Sequence, residues 1–282
     1  MQINNLVVVS DTHCGCQVGL CPPDGVDLDE GGTYTPSAFQ LKLWERWDAF
    51  WNEFVPEATR GEPYAVVHNG DAIDGVHHRS TTQITQNLKD QRAIAVKVMR
   101  PIVEKCEGRY YHIRGTEAHV GQTAEDEETV AAELGAIPNA IGQHARYDLW
   151  KQIGDRHVAH LMHHIGSTGS QHYEATAVHK ELMEEFLEAA RWGREPPDIV
   201  IRSHRHRSIE ISIPFKRRQD QVHTDKGISV VTPCWQGKGP FAWKIPGARL
   251  AEPQWGGIVV RVSDGELFTR AAVWTPERSP TE

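Results

Sequence analysis

Five short segments of this chain end in side chains that bind metal ions. Asp11 and His13 close the apolar run LVVVS, and Asp71 closes AVVHNG. The segment Arg114–His119 follows YYHI, His163 and His164 follow HVAHLM, and His204 and His206 follow DIVIRS. Carboxylate oxygens can bridge two divalent ions, and imidazoles suit Mn, Fe or Zn. Phosphate esters resist attack because nucleophile and phosphoryl oxygens are both electron-rich. Two ions held close together neutralise that charge and fix the in-line geometry. The set therefore points to metal-assisted phosphoester hydrolysis.

Such residues must be brought together by the elements before them. Each preceding run is short and apolar or β-branched, the pattern of a buried strand. In open α/β sheets ligands bind beyond the carboxyl ends of the strands, so five strand ends would bring the set to one edge. On an extended chain, residues i and i+2 share a face, which lets both side chains of DxH and of HxH reach one cluster. Between the strands, Ser37 is the expected N-cap of a helix carrying Phe39, Leu43, Trp47, Phe50 and Phe54 at helical spacing. A second helix with Ile84, Leu88, Ala95, Val98 and Ile102 on one side is expected to kink or end at Pro101. A third spans about residues 171–192. The segment AEDEETVAAELG predicts a short helix whose acidic first turn, Glu125 to Glu128, is read as a solvated start. After DIVIRS come ISIPF, GISVVTP, GGIVVRV and FTRAAVW, strands without helices between them.

The pattern resembles the calcineurin-like metallophosphoesterases, whose signature runs DxH, GDxxD, GNH[DE], a lone His, then GHxH. The matches are Asp11-Thr12-His13, Gly70-Asp71-Ala72-Ile73-Asp74, an altered Gly115-Thr116-Glu117-Ala118-His119, His163, and Ser203-His204-Arg205-His206. The resemblance implies an α/β/β/α sandwich of two mixed sheets flanked by helices, formed as one domain over residues 1–282. It implies two divalent ions, Mn foremost, with Fe, Zn or Ni as alternatives. Asp11, His13 and His206 would hold the first and Asp71 would bridge. Asp71, His163, His204 and a residue of the third block would hold the second. His163 is preferred to His164 by the family's placement of this ligand. Asp74 would orient the site from behind.

The third block departs from the pattern. Thr116 stands where the family has a ligating Asn, and a hydroxyl is a weak neutral ligand. His119 is the expected replacement, as second-metal ligand or as the acid that protonates the leaving group, with Glu117 a weaker candidate. Ser203 stands where Gly is usual. For substrate contacts the candidates are His78, Arg205 and Trp235, with Phe241 beside Trp235 in the loop TPCWQGKGPFAW. The Gly- and Pro-rich loop 14–36 starts directly after His13 and is a candidate cover for the site.

Composition sets the outer bounds. The 282 residues carry a net charge of −8, which gives no global basic field for duplex nucleic acid. No apolar run of about 18 residues is present, so no membrane association is expected. The N-terminus lacks the basic segment and cleavage site of a signal peptide. Five cysteines in a chain this long suggest a reducing compartment, the cytoplasm. Cys14, Cys16 and Cys21 lack a fourth partner for zinc. The function expected is a phosphodiesterase or nuclease acting on nucleotides or nucleic-acid ends. The alternatives are a phosphomonoesterase, or a binding module that keeps the fold without catalysis.

Overall fold

The run Asn5–Val9 forms strand β1 and is buried along its whole length. Both of its faces are covered, Val7 and Val9 by one apolar cluster and Leu6 and Val8 by another. This explains why it reads as a continuous hydrophobic run rather than an alternating one. The computed structural model describes the chain apart from residues 1–2, 78–79, 122, 167–170, 216–224, 241, 245–250 and 278–282. After β1 come a small hairpin, β2 (Val26–Asp27) and β3 (Thr33–Tyr34), then helices α1 (Ala38–Ala49) and α2 (Val55–Thr59). Next are β4 (Tyr64–Asn69), α3 (Leu88–Lys105), β5 (Tyr110–Ile113), α4 (Glu117–Val120) and α5 (Glu125–Glu133). The second half runs β6 (Ala145–Arg146), β7 (Asp148–Ile153), β8 (His157–Met162), α6 (Glu174–Arg191) and β9 (Ile199–Arg202). It closes with β10 (Ile209–Phe215), β11 (Asp225–Val231), β12 (Trp255–Ser263) and β13 (Glu266–Trp274).

The strands make two mixed sheets and the small hairpin. The first sheet has the order β13-β12-β1-β4-β5-β6, with β1, β4, β5 and β6 parallel. The second has the order β10-β11-β9-β8-β7, with β8, β9 and β11 parallel. Leu6, Val8, Val67 and Ile113 of the first meet Leu161, Ile199, Ile201 and Val230 of the second in an apolar layer. Helices α1, α3 and α5 cover the outer face of the first sheet, where Leu43, Val98 and Val130 join its core. On the outer face of the second lies α6. The four layers are the α/β/β/α sandwich expected. Among the described residues no helix is long and apolar enough to cross a membrane.

Local chemistry explains the boundaries. Ser37 accepts from the Gln40 backbone N–H while the Gln40 side chain accepts from that of Ser37, a reciprocal cap that starts α1. Beyond α1 the chain widens into a π-helical stretch, Phe50–Phe54, before α2. Three expectations are corrected. Helix α3 begins at Leu88 under an Asn87 cap, so Ile84 lies before it, and it continues past Pro101 to Lys105. The first turn of α5 is only partly solvated: Glu125 is exposed, but Asp126 and Glu127 are buried. The loop 14–36 does not cover the site. It lies along α1 and α3, held by Gln40 Nε2 donating to the carbonyls of Cys16 and Gly19 and by Lys97 paired with Asp24.

Trp235 is also corrected. It is fully buried, its ring centroid 4.9 Å from Trp47 and 5.8 Å from Phe50 in edge-on contacts. No face is left for a nucleobase. Trp235→Ala should cost about 3–5 kcal/mol of stability, the range for emptying a buried aromatic site. Urea unfolding measures this, and the loss should appear in stability rather than as weakened substrate binding.

Candidate metal centre

The parallel strands deliver their ligands at one edge, as their C-terminal ends require. Asp11 and His13 leave β1, Asp71 leaves β4, His163 leaves β8, and His204 and His206 follow β9. They do not sit on extended backbone. Asp11, His13, Asp71, His204 and His206 all have left-handed φ, between 42° and 73°. They are five of the nine non-glycine residues with positive φ among those described. The i, i+2 projection expected for DxH and HxH is thereby corrected: the backbone turns sharply at each of these residues, so Asp11 and His13 meet in one group while His206 joins them and His204 turns to another. Strain of this kind costs on the order of 1–3 kcal/mol per residue and persists where the surroundings over-determine it. Here the first loop is fixed by Asp11 N–H donating to Gly70 O at 2.9 Å and His13 N–H to Asp71 O at 3.1 Å.

Two triads result. In the first, His206 Nε2 lies 3.3 Å from both Asp11 Oδ1 and His13 Nε2, and His13 Nε2 lies 4.0 Å from Asp11 Oδ1. In the second, Asp71 Oδ2 lies 3.1 Å from His163 Nε2 and 4.0 Å from His204 Nδ1. Ligand atoms about 2.0–2.2 Å from one ion stand about 3–3.5 Å apart, so both triads fit a divalent ion. Asp11 Oδ1 is fully buried and faces the imidazole nitrogens of His206 and His13, as a ligand oxygen would. Supporting contacts set the tautomers. His163 Nδ1 donates to Asn69 O at 2.7 Å, which turns Nε2 toward Asp71. The Asp74 carboxylate stands 3.4 Å from His13 Nδ1 and is itself held by Gln83 Nε2 at 2.8 Å. His164 is exposed and outside both triads.

In the third block, Thr116 occupies the second triad. Its Oγ1 is 3.1 Å from His204 Nδ1 and 3.3 Å from both His163 Nε2 and Asp71 Oδ2. The expectation of His119 as second-metal ligand is corrected on this geometry. His119 stands on the side of the first triad, its ring 4.6 Å from that of His13. Its Nδ1 donates to Asp74 O at 2.6 Å, and its Nε2 is 4.0 Å from Asp71 Oδ2. The helical turn α4 separates the two roles: the chain enters it at Thr116 and has turned away by His119. Glu117 is exposed and joins neither triad.

The electrostatics follow from burying three carboxylates together. Burial works to raise Asp11, but the hydrogen bond from His206 and the charges of His163 and His206 hold it well below the usual carboxylate range. Asp71 is likewise pushed up by burial and down, more strongly, by His163 and His119. Asp74 is held low by His13 and His77 against its burial. Burial would depress His163, yet Asp71 raises it to about 10. For His206, Cys234 and Asp11 outweigh burial and raise it. His119 is instead lowered to about 4, mainly by burial. The raised His163 and His206 set protonated imidazoles against the buried carboxylates, a charge balance that a divalent ion would otherwise supply.

Two groups of residues escaped the sequence reading. Glu127 is fully buried and accepts from Ala72 N–H at 2.9 Å and Gly115 N–H at 2.5 Å. Ser203 belongs to a buried chain: Ser10 Oγ and Ser203 Oγ each lie 2.7 Å from Thr232 Oγ1, and Asn69 Nδ2 donates to Ser203 Oγ at 2.6 Å. The deviation Ser203 from the usual Gly was the signal for the second group. Glu127 carried none beyond its helix position.

The triads open on a cleft of about 580 Å³. Arg205 and Arg207 line it beside the histidines, and Lys238 faces them from the loop after β11. Arg207 also pairs with Glu174 at 3.1 Å, and Lys238 Nζ sits 3.7 Å over the Trp243 ring. From loop 14–36 only Cys16 reaches the cleft wall. His78 and Phe241 lie outside the described residues.

No family model matches this chain, and no curated protein matches it. Among solved structures it is similar to a single mutant of Vps29 from Entamoeba histolytica, at 11% identity and a TM-score of 0.36, covering 96% of this chain and 99% of that one. It is also similar to the Thermotoga maritima protein TM1076, at 10% identity and 0.38, with coverage of 96% and 100%. Vacuolar Protein Sorting 29 from Cryptosporidium parvum gives 12% identity and 0.31, with coverage of 97% and 98%. The α/β/β/α architecture follows from this chain's own strand order and register.

A pH dependence follows for the metal-free protein. His163 titrates near 6.5 when unfolded and about 10 when folded, so its contribution is complete below about pH 6.5 and is lost as pH rises toward 10. Asp11, Asp71 and Asp74 are depressed from 3.8, so theirs is present above about pH 4 and lost as pH falls further. Thermal denaturation of metal-free protein should therefore peak between these limits, and His163→Gln should flatten the alkaline side.

Proposed function

We propose that this chain is a two-metal phosphoester hydrolase of the calcineurin-like metallophosphoesterase type, acting on phosphodiesters of nucleotides or nucleic-acid ends. The observation that carries this reading is the pair of triads, Asp11–His13–His206 and Asp71–His163–His204, opening on one cleft. Each triad would hold one ion, with Thr116 Oγ1 completing the second set. Carboxylate and imidazole donors of this kind suit Mn, with Fe, Zn or Ni as alternatives. When bound, two such ions neutralise phosphoryl charge and activate the attacking water.

The chain's own groups do the rest. Asp74 keeps the His13 ring oriented, and Asn69 does the same for His163. His119 presents Nε2 to the cleft while Nδ1 is tied to a carbonyl. An anionic phosphoryl group opposite Nε2 would raise its pKa from about 4, which is what protonating a leaving oxygen needs. Arg205, Arg207 and Lys238 line the cleft together with Glu252, and these three cations are its contacts for an anionic substrate. Its volume of about 580 Å³ accommodates a nucleotide-sized ligand, with groups on both sides of the phosphorus. A cytoplasmic setting belongs to this reading and is supported by the five free, buried cysteines.

The test is hydrolysis of bis-p-nitrophenyl phosphate, p-nitrophenyl phosphate, cyclic nucleotides and DNA by metal-free protein reloaded with Mn. Diester hydrolysis should dominate. Asp71→Asn removes a carboxylate charge from the second triad and should cost several orders of magnitude in turnover. A folded variant with near-wild-type turnover contradicts the two-metal mechanism.

A second reading, a binding module with one tight metal site, is favoured by a single feature: Thr116 offers the second triad a neutral hydroxyl. The two readings differ in metal stoichiometry, measured by calorimetric titration with Mn. On the catalytic reading, the wild type takes up two ions, the second more weakly. Thr116→Asn supplies an amide oxygen and should tighten the second by roughly tenfold, about 1.4 kcal/mol.

A further inference from the structure

The acidic start of α5 holds a carboxylate that the metal chemistry does not use. Glu127 is fully buried, and its two oxygens bind two different loops. Oε1 accepts the N–H of Ala72, directly after Asp71, and Oε2 accepts the N–H of Gly115, directly before Thr116. Its neighbours serve other partners: Asp126 pairs with Arg92 at 2.6 Å, Glu128 accepts from His144 and Ala145 N–H at 2.8 Å, and Glu125 is exposed. Only Glu127 reaches the loops of the second triad.

Those loops are tightly coupled. The Thr116 N–H donates to Asp71 Oδ1 at 2.6 Å. A Cβ on Gly115 would fall 2.0 Å from Asp71 Oδ1, so the Gly115 backbone sets where that carboxylate lies. Beneath them the contact extends inward. Glu127 Oε1 is 3.6 Å from His112 Nε2, and His112 stacks on His68 at 5.0 Å. His68 Nε2 meets Thr12 Oγ1 at 3.1 Å, and Thr12 Oγ1 donates to Ala72 O at 3.0 Å. Glu127 therefore lies at the junction of the loops carrying Asp71, Thr116 and, through Thr12, Asp11 and His13.

We infer that Glu127 is a positioning residue for the second metal: it fixes the Asp71 and Thr116 loops at the separation that ion requires. The inference rests on the proposed two-metal reading. Replacing Glu127 by Gln keeps the shape but leaves one oxygen for two donors, and turns an NH2 group toward a backbone N–H.

Calorimetric titration of metal-free protein with Mn tests this below the unfolding temperature. Glu127→Gln should weaken the second ion by about 10–100-fold, the usual effect of removing a group that supports metal ligands. The first ion should be bound as in the wild type. Glu127→Asp should fall between, and Glu125→Gln should match the wild type. A folded Glu127→Gln protein with both affinities unchanged overturns the inference, leaving a structural contact. Should that variant not fold, amide exchange in the wild type decides. Protection of Ala72 and Gly115 N–H like that of core strands supports the role, and exchange at open-loop rates overturns it. A wild type that binds two ions but cleaves no phosphoester refutes the proposed activity alone, and one that binds a single ion refutes both.

Discussion

Each triad of candidate ligands is split between the two sheets, and the rest of the structure depends on that division. Asp11 and His13 come from the first sheet and their partner His206 from beyond the second; Asp71 comes from the first, His163 and His204 from the second. Metal coordination tolerates only a few tenths of an ångström. Two sheets packed through apolar side chains alone could slide by more than that, because the hydrophobic effect is non-directional. Directionality is added at the ligand end by Ser10 and Asn69 of the first sheet bonded to Thr232 and Ser203 of the second. These groups are fully buried, so breaking the chain leaves unpaired polar atoms in the interior. The same residues that satisfy the interior thus set the register of the site.

The site stores unfavourable terms that the surrounding layers must offset. Five of the candidate ligand residues hold left-handed backbone, and three carboxylates are buried, each within about 4 Å of at least two histidines. A buried ion costs several kcal/mol unless it is paired and hydrogen-bonded. The wide apolar layers on both faces of the first sheet supply the rigidity that keeps these loops in place. Glycine has a specific part in this. Gly70, with φ of +90°, passes so near the site that a Cβ there would stand 2.5 Å from His163 Nδ1.

The third block shows how a departure from a familiar pattern can keep the position of a side chain and change only its chemistry. Thr116 reaches the same point between His163, His204 and Asp71 that a ligating side chain must occupy. What changes is donor strength, since a hydroxyl replaces an amide oxygen. The second triad is therefore weaker by composition, while its geometry is kept by the backbone bonds to Glu127 and Asp71.

The sequence by itself determined the buried strands and which side chains stand at their ends; the layering and the grouping into triads came with the family resemblance. Buried strands read as apolar runs, the Ser37 cap read from its pattern, and each of Asp11, His13, Asp71, His163, His204 and His206 stood at a strand end. These signals are local, so one chain segment carries each. The tertiary structure alone decided what depends on contacts between distant segments. Trp235 is core because α1 packs over it, although its loop borders the cleft. His119 left the second triad because a helical turn intervenes, and Thr116 entered it. Glu127 looked like a solvated helix start because its partners are backbone N–H groups 55 and 12 residues away. Backbone donors have no letter in the sequence, and only the folded chain shows where they point.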